Sequence, residues 1–182
     1  VELLTQPLPS KPPLLIPLTL GFLDATGTPL TVTHGGKHAN EFTLQIDQSK
    51  QQFVFEHVSE APVLSLLRDF SAPVHLDYER PLNELIILAQ HDDNAFSRWH
   101  AIQHLVQRCL LTDDETLSAQ LQQALLHIWT RLLNDTSLSS AYLSRALNLP
   151  SVRQLLTQMR PMTPHTLIQR HRQLQQKLAQ QL

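Results

Sequence analysis

Apolar and polar residues alternate along this chain with two different periods. From Leu14 to Leu23 the side chains of Leu14, Ile16, Leu18, Leu20 and Phe22 recur at every second position, which is the period of a strand with one buried face. Asp24-Ala25-Thr26-Gly27 predicts a turn, and Leu30 to Thr33 a returning strand. His34-Gly35-Gly36-Lys37 predicts a hairpin turn rather than an anion-binding nest. Phe42, Leu44 and Ile46 continue the alternation, followed by Phe53-Val54-Phe55 with Val58, by Val63 to Leu67, and by Val74-His75-Leu76. Short strands at this spacing predict a sandwich one strand short of the immunoglobulin-like set, with the missing strand expected upstream of Val1. Pro12, Pro13 and Pro17 predict that the first long run lies at a sheet edge, because proline cannot donate to a ladder.

Near residue 80 the period changes to that of helices. Leu82, Leu85, Ile86 and Ala89 predict a first helix. A second, capped by Asp92 or Asp93, carries the stripe Phe96, Trp99, Gln103, Val106 and Leu110, which places Trp99 in the core and leaves Gln103 as a polar interruption. Thr112 or Asp113 caps a third with Leu117, Leu121, Leu125, Ile128 and Leu132. Ser137 opens a fourth that Asn148-Leu149-Pro150 stops, and Ser151 a fifth through Met159. Thr163-Pro164 is a cap followed by proline at the first helical position, and the last helix carries Leu167, Leu174 and Leu178. The fold class is therefore α+β as two units: residues 1–80 form an immunoglobulin-like β-sandwich, and residues 81–182 an all-α helical superhelix segment. No internal sequence repeat accompanies the helices.

Composition sharpens that division. All four glycines and eight of the twelve prolines lie in residues 1–80, and residues 81–182 hold no glycine. Hydrophobic residues make up 42% and charged residues 16%, enough for packed cores and against disorder. A net charge of -2 argues against a polyanion binder. The single cysteine, Cys109, excludes an internal disulfide and suits a reducing compartment. No apolar run is long enough for a membrane span. The opening Val1-Glu2-Leu3-Leu4 lacks both an initiator methionine and a basic signal region, so the chain is expected to be a piece of something longer.

The candidate chemistry is thin. His100 and His104, four residues apart on one helix face, have the spacing of a zinc dyad. A hydrolytic zinc motif needs glutamate directly after the first histidine, and Ala101 stands there; no acidic residue occurs between His104 and Asp113 to serve as a nearby third ligand. His91-Asp92-Asp93 reads as a helix start. Cys109, beside Leu110 and Leu111, reads as a buried thiol rather than a nucleophile. Residues 136–182 carry Arg145, Arg153, Arg160, Arg170, Arg172 and Lys177 with no acidic residue, and the helices from Ser139 to Leu147 and from Ser151 to Met159 resemble a helix-turn-helix. A free-standing binding module with a basic helical tail is accordingly the alternative reading. The sequence assigns no catalytic, cofactor-binding or metal-ligating residue to this chain.

Several blocks do resemble a known family. Phe53-Val54-Phe55-Glu56-His57-Val58, the segment PVLSLLRDFSAPVHLDY from Pro62 to Tyr78, and His91-Asp92-Asp93-Asn94-Ala95-Phe96-Ser97-Arg98-Trp99 resemble the bacterial type of aminopeptidase N, zinc-dependent gluzincin enzymes. Ile16-Pro17-Leu18, Asp24, Gly27 and Leu149-Pro150-Ser151-Val152 extend the likeness over nearly the whole chain. The resemblance implies the third domain, a β-sandwich linker, followed by the first helices of the C-terminal helical domain that caps the active site. It also implies a cytoplasmic parent enzyme with zinc, peptide substrates, and a catalytic domain on the same polypeptide bearing the His-Glu-x-x-His motif, a distant glutamate ligand and a Gly-x-Met-Glu-Asn motif. None of these motifs occurs here, so this segment is expected to be inactive alone, to hold no cofactor, and to bind neither nucleic acid nor membrane. The edge-like first strand, and Leu174, Leu178 and Leu182 on one stripe of the last helix, predict self-association through either end. Metal analysis of protein purified without a histidine tag should find no stoichiometric zinc. One zinc per chain, lost when His100→Ala and His104→Ala are combined, would overturn this.

Overall fold

A computed structural model describes residues 2–4, 14–156 and 163–180. The chain divides into two compact units, one running to Arg80 and taking in His91–Ser97, the other comprising Pro81–Gln90 and the residues from Arg98 onward.

The first unit contains β1 (Glu2–Leu4), β2 (Ile16–Leu23), β3 (Val32–His34), β4 (Lys37–Ala39), β5 (Glu41–Ile46), β6 (Lys50–Gln52) and β7 (Val63–Leu66). All pairings are antiparallel: β5-β2-β7 form one sheet, β3-β4 a hairpin, and β1-β6 a third pair. A count of long apolar alternations overlooks the short strand Glu2–Leu4, which pairs with Lys50–Gln52. Nor is the first long run an edge. β2 is the central strand, paired with β5 from Ile16 to Gly21 and with β7 from Leu20 to Leu23. Pro17 is tolerated because two-sided pairing begins only at Leu20; Pro12 and Pro13 lie outside the described residues.

Two predicted strands are extended segments without a ladder. Phe53 and Phe55 pack on the core, yet among the described residues the run has no ladder: Thr33 and Glu56 exchange backbone hydrogen bonds of 2.9 and 2.8 Å in an isolated bridge, and His34 Nδ1 meets the Val54 carbonyl at 2.8 Å. Val74 and Leu76 likewise pack on the core without pairing. Alternation reported burial correctly here, but a ladder also needs a neighbouring strand. Leu20, Phe22, Val32, Phe42 and Leu44 form one part of the core, and Leu18, Ile46, Leu67 and Ala72 the other. At the β3-β4 turn, Gly35 and Gly36 have φ of 56° and 77°, a consecutive left-handed pair that gives the hairpin its twist.

The second unit is helical: α1 (Leu82–His91), α2 (Ala95–Leu111), α3 (Glu115–Asn134), α4 (Ser140–Ala146), α5 (Val152–Leu156) and α6 (Pro164–Ala179), the ends of α1 and α2 nearest each other counting with the first unit. Several starts differ from expectation by a residue or two. Asp114, not Thr112 or Asp113, caps α3 by accepting from the amides of Thr116 and Leu117 at 2.9 and 3.1 Å. Ser139, not Ser137, caps α4; Ser137 is instead drawn onto the Asp135 carboxylate. Thr163 and Pro164 open α6 as expected. The expected end of α5 at Met159 lies outside the described residues.

The buried stripe of α2 is not the one first drawn. Ala101, Ile102, Leu105, Val106, Cys109 and Leu110 are buried, and Trp99 is only half-buried, its ring lying under the Arg145 guanidinium. Gln103, the polar interruption, is 9% exposed because its amide donates to the Asn148 carbonyl at 3.1 Å. The core tryptophan is Trp129 on α3, 0% exposed. On α6, Leu167, Leu174 and Leu178 are buried within the chain, so the expected bare stripe is covered at those positions; Leu182 lies outside the described residues. No helix among the described residues is long and apolar enough to cross a membrane. Trp129→Ala should cost about 3 to 5 kcal/mol in denaturant unfolding and Trp99→Ala about 1 kcal/mol or less. Equal losses would show that the two indoles contribute alike.

Candidate functional site

The most constrained group of polar side chains lies in the first unit, around Arg68. The chain leaves β7 through three non-glycine residues in left-handed conformation, Leu67, Asp69 and Phe70, with φ of 55°, 53° and 54°. Such angles are unusual for leucine and phenylalanine and need surrounding structure to hold them. Asn94 provides part of that hold. Its side chain accepts from the Asp69 amide at 3.2 Å and donates to the Asp69 carboxylate at 2.8 Å. The same Asn94 oxygen accepts from the Ser97 amide at 3.1 Å and so caps α2, a role expected of Asp92 or Asp93.

Those two aspartates serve Arg68 instead. Its guanidinium, in a residue 6% exposed, bonds the Asp93 carboxylate, lies 3.9 Å from that of Asp92, and meets Glu41 at 3.0 Å through Nε. The Nε contact is an ion pair off the line a hydrogen bond requires. Gly21 makes room for the group: a Cβ there would stand 2.1 Å from Arg68 Nη1. Three carboxylates thus share one cation, and Asp92, with a fully buried side chain, has the most distant claim on it. Burial therefore raises the Asp92 pKa, against the lowering influence of the Ser65 hydroxyl, the Asn94 amide and Arg68. Ser71 extends the group to β2 by accepting from the Thr19 amide at 2.9 Å.

The residues singled out from sequence do not converge on this cluster, apart from the His91-Asp92-Asp93 start. His100 and His104 lie on α2 with ring centroids 4.4 Å apart, and both are half-buried. They do not fit a hydrolytic zinc site: Ala101 is buried and aliphatic, and among the described residues no group of three His, Cys, Asp or Glu side chains is placed to hold a metal. Cys109 is buried, and burial pushes its thiol pKa up, away from the thiolate a nucleophile needs. Its backbone carbonyl accepts from Ser118 Oγ at 3.1 Å, joining the end of α2 to the start of α3. The basic residues of the last helices are partly engaged as well. Arg170 bonds the Thr112 carbonyl and, at 2.5 Å, Glu115; Lys177 bonds Gln122; Arg145 covers Trp99. Arg68 and Asn94 were not singled out. The available signal was a cation set inside the apolar run from Val63 to Phe70, since an arginine there is rarely buried without acidic partners.

An Ig-like set of antiparallel strands followed by a run of helices defines the architecture of this chain. Residues 82–182 match the family described as domain of unknown function DUF3458_C, ARM repeats, and residues 3–79 match domain of unknown function DUF3458, Ig-like fold. The chain belongs to this family, and it resembles the C-terminal region of aminopeptidase N-like proteins. It is 34% identical over 149 residues to aminopeptidase N of Escherichia coli, covering 80% of this chain and 17% of that protein. It is 39% identical over 90 residues to aminopeptidase N of Haemophilus influenzae, covering 50% of this chain and 10% of that one. The crystal structure of Legionella pneumophila aminopeptidase A in complex with aspartic acid is similar with a TM-score of 0.71 and 29% identity, over 92% of this chain and 19% of that one. The chain therefore spans less than a fifth of the length of these relatives.

The Arg68 cluster gives a pH signature with a defined sign. Asp92 is held above the ordinary aspartate value of 3.8, so the folded state binds its proton more tightly than the unfolded chain does. The stabilisation from that proton is full below 3.8 and is lost as pH rises through the raised value. Asp92→Asn cannot titrate. The stability of the native chain relative to this variant should therefore fall as pH rises from about 4 to about 7, measured by denaturant unfolding. A difference that stays flat or rises over that window would show that the Arg68 charge outweighs burial at Asp92.

Proposed function

We propose that this chain is a non-catalytic portion of a zinc-dependent metallo-aminopeptidase that removes N-terminal residues from peptides. In that enzyme the β-sandwich links a catalytic domain to the helical domain, and the helices cap the active site and limit access to small peptides. The observation that supports this best is the tandem order of the two family matches, over a chain 34% identical across 149 residues to an aminopeptidase N. The catalytic domain of the same polypeptide would supply the metal ligands and the general base. The residues of this chain would contribute shape and support. The parent enzyme is read as cytoplasmic.

Hydrolysis of alanyl or leucyl anilides by the chain alone, with added zinc, should stay at background. An upstream segment in the same reading frame encoding His-Glu-x-x-His should accompany it in the gene. Zinc-dependent turnover by the 182-residue chain itself would overturn the proposal, because it would require a catalytic site in residues assigned here to support.

A further inference from the structure

Outside the Arg68 cluster, the second unit holds a crossed arrangement of two arginines and two aromatic rings. The helix α2 supplies Arg98 and Trp99; α4 supplies Tyr142 and Arg145. Arg98 Cζ stands 5.7 Å from the centroid of the Tyr142 ring, and Arg145 Cζ stands 5.1 Å from that of Trp99. Each helix thus gives one cation to the other helix's ring. We propose that these four residues form a docking surface for the carboxylate groups of acidic peptide segments.

The physical case begins with the stacking. A guanidinium near an aromatic ring is attracted as a cation by the ring as a whole, which leaves its N–H donors, all lying in the guanidinium plane, available to other partners. That in-plane fork is the geometry that grips a carboxylate with two parallel hydrogen bonds. Stacking also restricts two long side chains before any ligand arrives, which lowers the ordering cost of binding. The face is open to solvent: Arg145 is exposed, and Arg98, Trp99 and Tyr142 are half-buried. Its charge is uneven. Asp135 is the acidic group near Arg98, and it lies also in the field of Arg131. Its carboxylate is committed to Ser137, accepting from the amide at 3.0 Å and from the hydroxyl at 2.5 Å, and Ser137 lowers its pKa more than the two arginines do. Arg98 and Arg131 therefore lie in the field of one engaged carboxylate, while Arg145 stands on the Trp99 ring in a stretch, residues 136–182, that holds no acidic residue.

Peptide carboxylates suit this surface better than nucleic acid does. The two rings already carry guanidiniums and are not free to stack on bases, which is the main grip of single-strand binders. The cations form a compact group rather than a track along a backbone, and the whole chain is net negative at -2. The proposal does not rest on the peptidase reading, because its test measures binding and not hydrolysis.

The probe is fluorescein-labelled octaglutamate, titrated into the full chain and followed by anisotropy. Trp99 serves as local reporter, since Trp129 is buried and should not respond. Binding should saturate, quench or shift the Trp99 emission, and weaken at least about tenfold when salt is raised from about 20 to about 200 mM. Combining Arg98→Gln with Arg145→Gln should weaken it at least about tenfold. Combining Arg153→Gln with Arg172→Gln, both exposed and outside the surface, should leave it within about twofold. If the glutamine pair fails to fold by circular dichroism, Arg98→Lys with Arg145→Lys decides: it keeps the charge and loses the fork, so binding should fall. Unchanged binding in a folded glutamine pair, or in the lysine pair, would overturn the proposal. So would equal binding of octaglutamine, or tighter binding of a single-stranded oligonucleotide of equal charge.

Discussion

Arg68 carries a permanent positive charge at a position 6% exposed, where an unpaired ion would cost several kcal/mol. The chain meets that cost with carboxylates drawn from two distant stretches, Glu41 at the start of β5 and Asp92-Asp93 beyond α1. Other features follow from the need to seat the guanidinium. Gly21 leaves room for it, because a Cβ there would stand 2.1 Å from Arg68 Nη1 and the guanidinium would have to shift. The backbone after β7 turns through Leu67, Asp69 and Phe70 in left-handed conformations, and Asn94 fastens that turn at the Asp69 amide and side chain. His91–Ser97 consequently belongs with the sandwich although helical residues precede and follow it. Both sequence blocks with the most specific family likeness, 53–78 and 91–99, contribute residues to this cluster.

The helical unit is organised differently, by satisfying backbone ends and isolated polar groups one at a time. Asp114, Ser139 and Thr163 each accept from amides of a first helical turn. Gln103 and His171 reach the carbonyls of Asn148 and Pro150, which the break between α4 and α5 leaves without helical partners. Cys109 and Ser118 join α2 to α3 in the same manner. These groups fix helix ends.

How much was legible beforehand can be followed residue by residue. The change of period near residue 80 and the clustering of glycine before it were enough to read a sandwich followed by helices, because burial on one face imposes period two on strands and a longer period on helices. The Gly35-Gly36 turn and the Thr163-Pro164 start were readable for the same local reason. Trp99 was misplaced, since a stripe on a helix can be drawn one position off when Gln103 breaks it, and only packing shows that Ile102, Leu105 and Cys109 face inward. Phe53 and Val74 showed their burial but not that their neighbours lack a pairing strand. Arg68 left a signal as a cation inside an apolar run, but its partners were beyond reach: Arg68 lies 24 positions before Asp92, and 27 after Glu41, and no local pattern encodes which charges will meet. Local chemistry, set by adjacent residues, was determined by the sequence itself. The choice of partners across long chain separations was made by the tertiary structure, because a buried charge can be neutralised only by whatever the fold brings within a few ångströms of it.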